Sequence, residues 1–302
     1  MYDGVMERTW DPGGPLDIGL VLSPHKRGGG DPAYRQTPDG AIWRTCRTPA
    51  GPATLRVSVA GGRVRGQAWG PGAEWVLDAM PALLGAEDDP SGFEARHDVV
   101  REMQRRHAGL RIGRTGLVME ALVPAVLEQK VVGREAWRAW RWLLRRYGDP
   151  APGPAPEGMR VIPEPSVWRE IPHWDWHRSG AEAVRARTIA TAAWHAAKLE
   201  AAATSEELDR MLRALPGVGV WTSAEVRQRA FGDPDALSVG DYHLAKIVGY
   251  ALTGEKTDDP GMLRLLEPYR GHRHRAGLLL SLTGLRPPAR GPRMAVRDYR
   301  SF

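Results

Sequence analysis

A chain of 302 residues with 42% hydrophobic content is long enough to bury a proper core, as one large domain or as two to three smaller ones packed together. Its formal net charge of +6 and isoelectric point near 9.7 favour an anionic partner, without by themselves separating nucleic acid from an acidic membrane surface. The single cysteine, Cys46, excludes an internal disulfide and a cysteine-held iron–sulfur cluster or zinc knuckle.

Met1 to Trp10 is acidic and polar rather than basic and then apolar, and no run approaches the roughly 18 apolar residues of a membrane span. The expectation is a cytoplasmic protein. Residues 16 to 70 alternate like strands: Leu16, Ile18 and Leu20, then Ile42 and Trp43, then Leu55, Val57 and Val59, with Gly61-Gly62 turning the chain into Val64 to Trp69. This predicts an antiparallel sheet. Two helices follow, one with Val76, Met80 and Leu83 on one face and one over Glu94 to His107, so the first third reads as a small α+β unit.

From about Arg114 the periodicity is helical. Leu117 to Gln129 predicts one helix, and Arg134 to Tyr147 a second with Trp137, Trp140, Leu144 and Tyr147 on a stripe, ended by Gly148-Asp149-Pro150. Pro150 to Pro165 is a connector. A long alanine-rich helix is expected over Ala181 to Ala203, and Thr204 with Glu207 has the spacing of a capping box for a helix that presents Leu208, Met211, Leu212 and Leu215. Trp137, Trp140 and Trp194 are assigned to the core.

The most informative segment is Leu215 to Gly219, Leu-Pro-Gly-Val-Gly, between two helical segments. A turn this tight calls for positive φ at Gly217, Gly219 or both. It points successive backbone N–H groups outward at the start of the next helix, where the helix dipole also favours negative charge. A DNA phosphate fits there without any side chain. Asp241 then precedes an apolar helical run (Leu244, Ile247, Val248, Ala251), where an aspartate serves as an N-cap.

With these residues in view, the chain resembles the helix-hairpin-helix DNA glycosylase superfamily, and within it the AlkA-like 3-methyladenine DNA glycosylase II group. The resemblance covers most of the chain from about Leu110 to Tyr269. It rests on LVMEALVPAVLEQKV (Leu117 to Val131, with Glu120 and Gln129), LPGVGVWT (Leu215 to Thr222), SVGDYHL (Ser238 to Leu244) and Pro268-Tyr269-Arg270. It implies an α+β, mainly α fold: an N-terminal antiparallel sheet domain over 1–112, a helical domain over 113–233 with the hairpin motif at 205–230, and a C-terminal helical domain with a basic tail over 234–302. A cleft separates the two helical lobes.

The resemblance makes Asp241 the catalytic residue and places Trp221 where members that also cleave the strand carry a Schiff-base lysine. Tryptophan forms no such intermediate, so the implied enzyme is a monofunctional hydrolase that leaves an abasic site. It further implies a pocket for a flipped base formed by Trp221, Tyr242, Tyr269, Gln129 and Glu225, with the aromatic rings attracting cationic methylated purines. Lys130 stands at the position of an apolar wedge, where a lysine either inserts more shallowly or contacts phosphate instead. Glu225 replaces a pocket aromatic, and with Thr222 it also has capping-box spacing. Phosphate contacts are expected from Lys130, Pro216, Gly217, Val218, Gly219 and Thr222. A basic cluster, Arg270, His272, Arg273, His274 and Arg275, is read the same way. His173, His177 and His195 do not make a zinc site, so no metal and no cofactor is expected.

The resemblance implies that the partner is double-stranded DNA with a damaged base, bound by a monomer in the cytoplasm at the nucleoid, and no membrane is expected to be involved. The leading function is excision of alkylated purines of the 3-methyladenine and 7-methylguanine type. The alternatives are a glycosylase for deaminated or oxidised bases and a noncatalytic helix-hairpin-helix DNA-binding protein.

Overall fold

The computed structural model describes residues 4–288. The basic stretch that the sequence adds after residue 288, and the first three residues of the Met1 to Trp10 segment, lie outside the described residues. Among the described residues no helix is long and apolar enough to cross a membrane.

The N-terminal unit is a five-stranded antiparallel sheet: β1 (Met6–Trp10), β2 (Tyr34–Gln36), β3 (Ile42–Thr48), β4 (Gly51–Ala60) and β5 (Arg63–Trp69), in the order β1-β5-β4-β3-β2. The β4–β5 hairpin turns on Gly61 and Gly62, both at positive φ, as a two-residue turn between twisted strands requires. One sheet face packs on the Ala73–Leu83 helix, where Val76, Leu77, Met80 and Leu83 meet Leu55, Val57 and Val64. Gly66 in β5 makes that contact possible, because a Cβ there would collide with the Met80 sulfur and the Leu77 methyl. The proline-rich connector covers the other face: Met159 packs on Trp43 and Trp69, whose rings stack at 5.4 Å. Inside the connector a short ladder pairs Asp149–Pro150 with Arg160–Val161.

Three sequence expectations require correction here. Leu16, Ile18 and Leu20 are not on a strand; Ile18–Leu22 is a helix, because the Asp17 carboxylate accepts from the Leu20 amide at 2.9 Å and caps it, turning Val21 and Leu22 into the sheet's core. The alanine-rich segment is not one helix but two, Ala183–Trp194 and Ala196–Glu200, broken at His195. The break brings the Glu200 carboxylate to the Val118 and Met119 amides, 2.8 Å from each, where it satisfies the free N–H groups of the Val118–Leu127 helix. Trp194, assigned to the core, is 70% exposed with the Arg169 guanidinium over its ring.

The central lobe packs Val118–Leu127, Gly133–Tyr147, Ala183–Trp194 and the hairpin helices Ser205–Arg213 and Val220–Ala230 around one core. The Thr204 hydroxyl caps its helix by accepting from the Glu207 amide at 3.1 Å, while Glu207 reaches back to the Ala203 amide at 2.9 Å. The C-terminal lobe packs Leu244–Thr253, Asp259–Leu266 and Arg273–Leu282, and it also takes in the Asp98–Arg106 helix, which the sequence grouped with the sheet. Val100 and Met103 are buried there with Val248, Met262, Leu266 and Leu279. The chain therefore visits the C-terminal lobe once before and once after building the central one.

Two buried ion pairs join these units. Arg44 on β3 pairs with Glu120 in the central lobe, and Arg275 in the C-terminal lobe pairs with Asp88, which follows the sheet unit. Asp88 also accepts from the Ile112 amide at 3.0 Å. Arg275 and Asp88 are both nearly inaccessible, so removing one charge strands the other in a dry site. Asp88→Asn is expected to lower the unfolding free energy by about 3–5 kcal/mol, measured by urea denaturation; a loss below about 1 kcal/mol, the range of exposed pairs, would contradict the assignment.

Candidate active site

The hairpin is built by contacts on both sides of its turn. Gly217 takes φ +86, and a Cβ there would overlap Thr188 Oγ1 on the neighbouring helix. The Thr188 hydroxyl reaches the Pro216 carbonyl at 3.3 Å, and Val218 plugs into the central core. Gly219, by contrast, has extended φ of −103 and open space at its Cβ position. Only one of the two glycines is thus needed for its conformation. Among the described residues the amides of Gly217, Gly219, Val220 and Trp221 make no hydrogen bond, and all but Trp221 are exposed, with Trp221 partly so. They present unsatisfied donors at the positive end of the Val220–Ala230 helix.

Gln129 does not enter a base pocket. Its Nε2 donates to the Gly217 carbonyl and the Thr222 hydroxyl, each at 2.9 Å, so it clamps the 128–132 loop to the hairpin. Its own carbonyl accepts from Arg185 at 2.7 Å. The neighbouring Lys130 is exposed and takes φ +52, the one non-glycine residue at positive φ among the described residues. The clamp ties the loop that carries Lys130 to the hairpin. Thr222 lies inside the Val220–Ala230 helix and Gly219 is its N-cap, so Thr222 and Glu225 do not form a capping box.

Asp241 stands just before the Leu244–Thr253 helix. Its Oδ1 accepts from the His243 and Leu244 amides, both at 2.7 Å, so it caps the helix from two residues before the N-cap position, which is His243 and not Asp241 as expected. The other oxygen, Oδ2, receives the Trp221 indole N–H at 3.3 Å. The residue lines a cavity of about 270 Å³ between the three units. The cavity's walls come from Leu20, Val21, Pro24 and His25 of the N-terminal unit, from 110–113, from Glu225, Gln228 and Arg229 of the hairpin helix, and from C-terminal residues that include Leu237, Leu244, Ile247 and His274. Trp221, Glu225, Gln228 and Arg229 fall at i, i+4, i+7 and i+8, so one helix face serves both the aspartate and the cavity.

The aromatic pocket expected from the sequence is not what lines this cavity. Among the described residues no tryptophan, tyrosine or phenylalanine is in its wall. Tyr269 is 2% exposed in the C-terminal core, stacked on Phe93, with its hydroxyl accepting from the His97 amide at 3.1 Å. Tyr242 is 74% exposed beside Asp241, with the Lys246 amine 3.6 Å from its ring centre. Of the residues assigned to the pocket, Glu225 lines it, and Trp221 reaches it through Asp241.

Polar chemistry takes the aromatic rings' place. Burial pushes the Glu225 carboxyl up, but the Arg229 guanidinium at 2.8 Å and the Ser238 hydroxyl at 2.5 Å outweigh it, so the group stays below its ordinary value and ionised. Arg229 also donates to the Pro24 carbonyl at 3.0 Å, tying the helix to the N-terminal unit. Gln228 is consumed by the Ala236 carbonyl and the Ser238 hydroxyl. Burial, reinforced by the neighbouring Arg44, Arg229 and Arg27, holds the His25 imidazole well below its ordinary value. Burial also pushes His274 down to about 4 against the pull of Glu225. Both rings are neutral at pH 7. Local sequence carries no sign of His25, whereas the Glu225–Arg229 spacing of four on one helix could have revealed that pair.

The basic cluster after Tyr269 does not form one surface. Within the Arg273–Leu282 helix successive positions fan out by about 100° each, so these side chains point in different directions. Arg275 is buried on Asp88, Arg273 pairs with Asp235, His274 turns into the cavity, and Arg270, though exposed, pairs with Glu267. Arg275 is therefore unavailable to phosphate, contrary to the sequence expectation. Among the described residues no group of three or more His, Cys, Asp or Glu side chains is arranged to hold a metal ion.

No protein-family model matches the chain. It is 28% identical over 252 residues to the probable bifunctional transcriptional activator/DNA repair enzyme AlkA of Mycobacterium tuberculosis, an alignment that covers 78% of this chain and 48% of that protein. The chain thus spans about half the length of the curated relatives it matches. Among solved structures, a 3-methyladenine DNA glycosylase from Archaeoglobus fulgidus superposes with a TM-score of 0.74 at 16% identity, covering 90% of this chain and 97% of that one. An 8-oxoguanine glycosylase/lyase from Clostridium acetobutylicum superposes with a TM-score of 0.68 at 12% identity, covering 93% and 98%. At these identities the likeness is one of fold.

The two hairpin glycines separate in a stability experiment. Gly217→Ala is expected to cost about 1–3 kcal/mol, from a left-handed backbone and a clash with Thr188, while Gly219→Ala is expected to stay within about 0.5 kcal/mol of the parent. Equal losses in chemical denaturation would contradict the turn geometry.

Proposed function

We propose that this chain, which has the helix-hairpin-helix DNA glycosylase fold and a sequence related to its AlkA-like members, is a monofunctional DNA glycosylase that releases alkylated purines of the 3-methyladenine and 7-methylguanine type. The reading rests on Asp241, which spends one carboxylate oxygen on the start of the next helix, receives the Trp221 indole N–H on the other, and lines a cavity of about 270 Å³.

In this reading the hairpin amides and Lys130 hold the phosphates on either side of the damaged nucleotide, contacts that fix position and carry no base identity. The nucleotide rotates out of the stack and its base enters the cavity. The C1′–N bond then breaks with its electron pair leaving on the base, and the sugar becomes an oxocarbenium ion beside Asp241. The carboxylate stabilises that cation, and water adds to C1′ and gives up a proton to complete an abasic site. An alkylated purine that is cationic before cleavage departs neutral, so the site needs no strong general acid.

Absence of strand cleavage follows from the same residues. No lysine is in the cavity wall among the described residues, and position 221 holds a tryptophan. Without an amine at C1′ there is no Schiff base and no β-elimination. We read the protein as acting alone, as a monomer on chromosomal DNA.

Asp241→Asn is the decisive variant, because asparagine is as good an N-cap as aspartate and keeps the helix start intact. It is expected to slow release of methylated purines from duplex DNA by roughly 10²–10³-fold while leaving salt-dependent duplex binding within about a factor of three, and borohydride is expected to trap no covalent complex with the parent protein. Full activity in Asp241→Asn would refute the mechanism, and a trapped complex would refute the monofunctional assignment.

A further inference from the structure

The cavity wall contains more polar side chains than it contains partners for an incoming base. Glu225, Gln228, Arg229 and Ser238 are engaged with one another or with the Pro24 and Ala236 carbonyls. Arg111 donates to the Pro12 carbonyl at 2.9 Å, and the Ser281 hydroxyl to the Gly277 carbonyl at 2.8 Å. Of the three histidines in the wall His243 is exposed, and the His25 and His274 side chains are different. Both are half-buried in the wall, one from the N-terminal unit and one from the C-terminal lobe, and neither ring makes a hydrogen bond among the described residues.

We propose that His25 and His274 read the polar edge of the extruded purine, selecting among lesions by the donors and acceptors on that edge rather than by ring stacking. The assignment rests on the glycosylase reading of the same cavity. A neutral imidazole offers one donor and one acceptor, so the pair can match an amino or an oxo substituent, and a base with the wrong pattern leaves a buried polar atom unpaired. The surroundings fit this role. The apolar part of the wall is aliphatic, with Leu110, Leu237, Leu244, Ile247 and Leu278, and no tryptophan, tyrosine or phenylalanine lines it among the described residues. The Glu225–Arg229 pair is internally neutral, so charge alone gives the wall little means of distinguishing one methylated purine from another. Neutral histidines in a dry wall discriminate more sharply than protonated ones, which would present donors only and repel a cationic base. Burial maintains that neutral state.

The inference is tested by single-turnover excision of 3-methyladenine, 7-methylguanine and hypoxanthine from matched duplexes. The parent is compared with His25→Leu, His274→Leu and the corresponding glutamine variants, with thermal unfolding recorded for each. Leucine keeps bulk and removes the hydrogen bonds; glutamine returns a donor and an acceptor. The expected result is that each leucine variant compresses the spread of excision rates across the panel by about tenfold or more and that glutamine recovers part of it. Where a leucine variant does not fold, its glutamine counterpart is expected to reorder the panel. Variants that fold, release base and preserve the parent's order and spread would overturn the role of the histidines while leaving the glycosylase reading intact. A parent protein that releases none of the three bases would overturn both.

Discussion

The site depends on how one carboxylate is divided. Asp241 Oδ1 is held by two backbone amides at the start of the Leu244–Thr253 helix, and Oδ2 receives the indole N–H of Trp221. Here the cap lies at the rim of a cavity, so the bond that stabilises the helix also aims a charge.

The Val220–Ala230 helix joins the hairpin to the cavity. Its N-terminus carries free amides at the hairpin, while Trp221, Glu225 and Arg229 on its inner face support Asp241 and the cavity wall. The Gln129 clamp and the Thr188 contact hold the turn from two other elements, so its geometry is over-determined. Positive φ at Lys130, costing roughly 1–2 kcal/mol in a non-glycine residue, is tolerated in the loop that this clamp anchors.

Most of the fold was legible in the sequence because its signals are local. Gly61-Gly62 marks a hairpin, Thr204 with Glu207 marks a helix start, and the Trp140–Leu144 stripe marks a buried face. The failures are equally physical. Three alternating apolar residues at 16, 18 and 20 looked like a strand, but Asp17 offered a cap and the helix prevailed. The Asp98–Arg106 helix has a clear apolar side, yet nothing in its own residues reveals that the side faces a lobe built more than a hundred residues later. The hairpin and the aspartate were readable as a motif, whereas the cavity wall was not, since His25, Glu225 and His274 come from distant segments and meet only in three dimensions. Tyr269 misled for the opposite reason: it sits in a recognisable Pro-Tyr-Arg string, but its ring belongs to the core around Phe93.

The proposed role of Asp241, stabilising positive charge on the sugar of an extruded nucleotide, is tested by the affinity of the protein for two duplexes that differ at one site, one with a neutral tetrahydrofuran abasic analogue and one with a cationic pyrrolidine in the same position. The cationic ring is expected to bind at least about tenfold tighter, as a transition-state mimic does, and this preference is expected to disappear in Asp241→Asn. Equal affinity for the two duplexes, or a preference that survives the substitution, would contradict it.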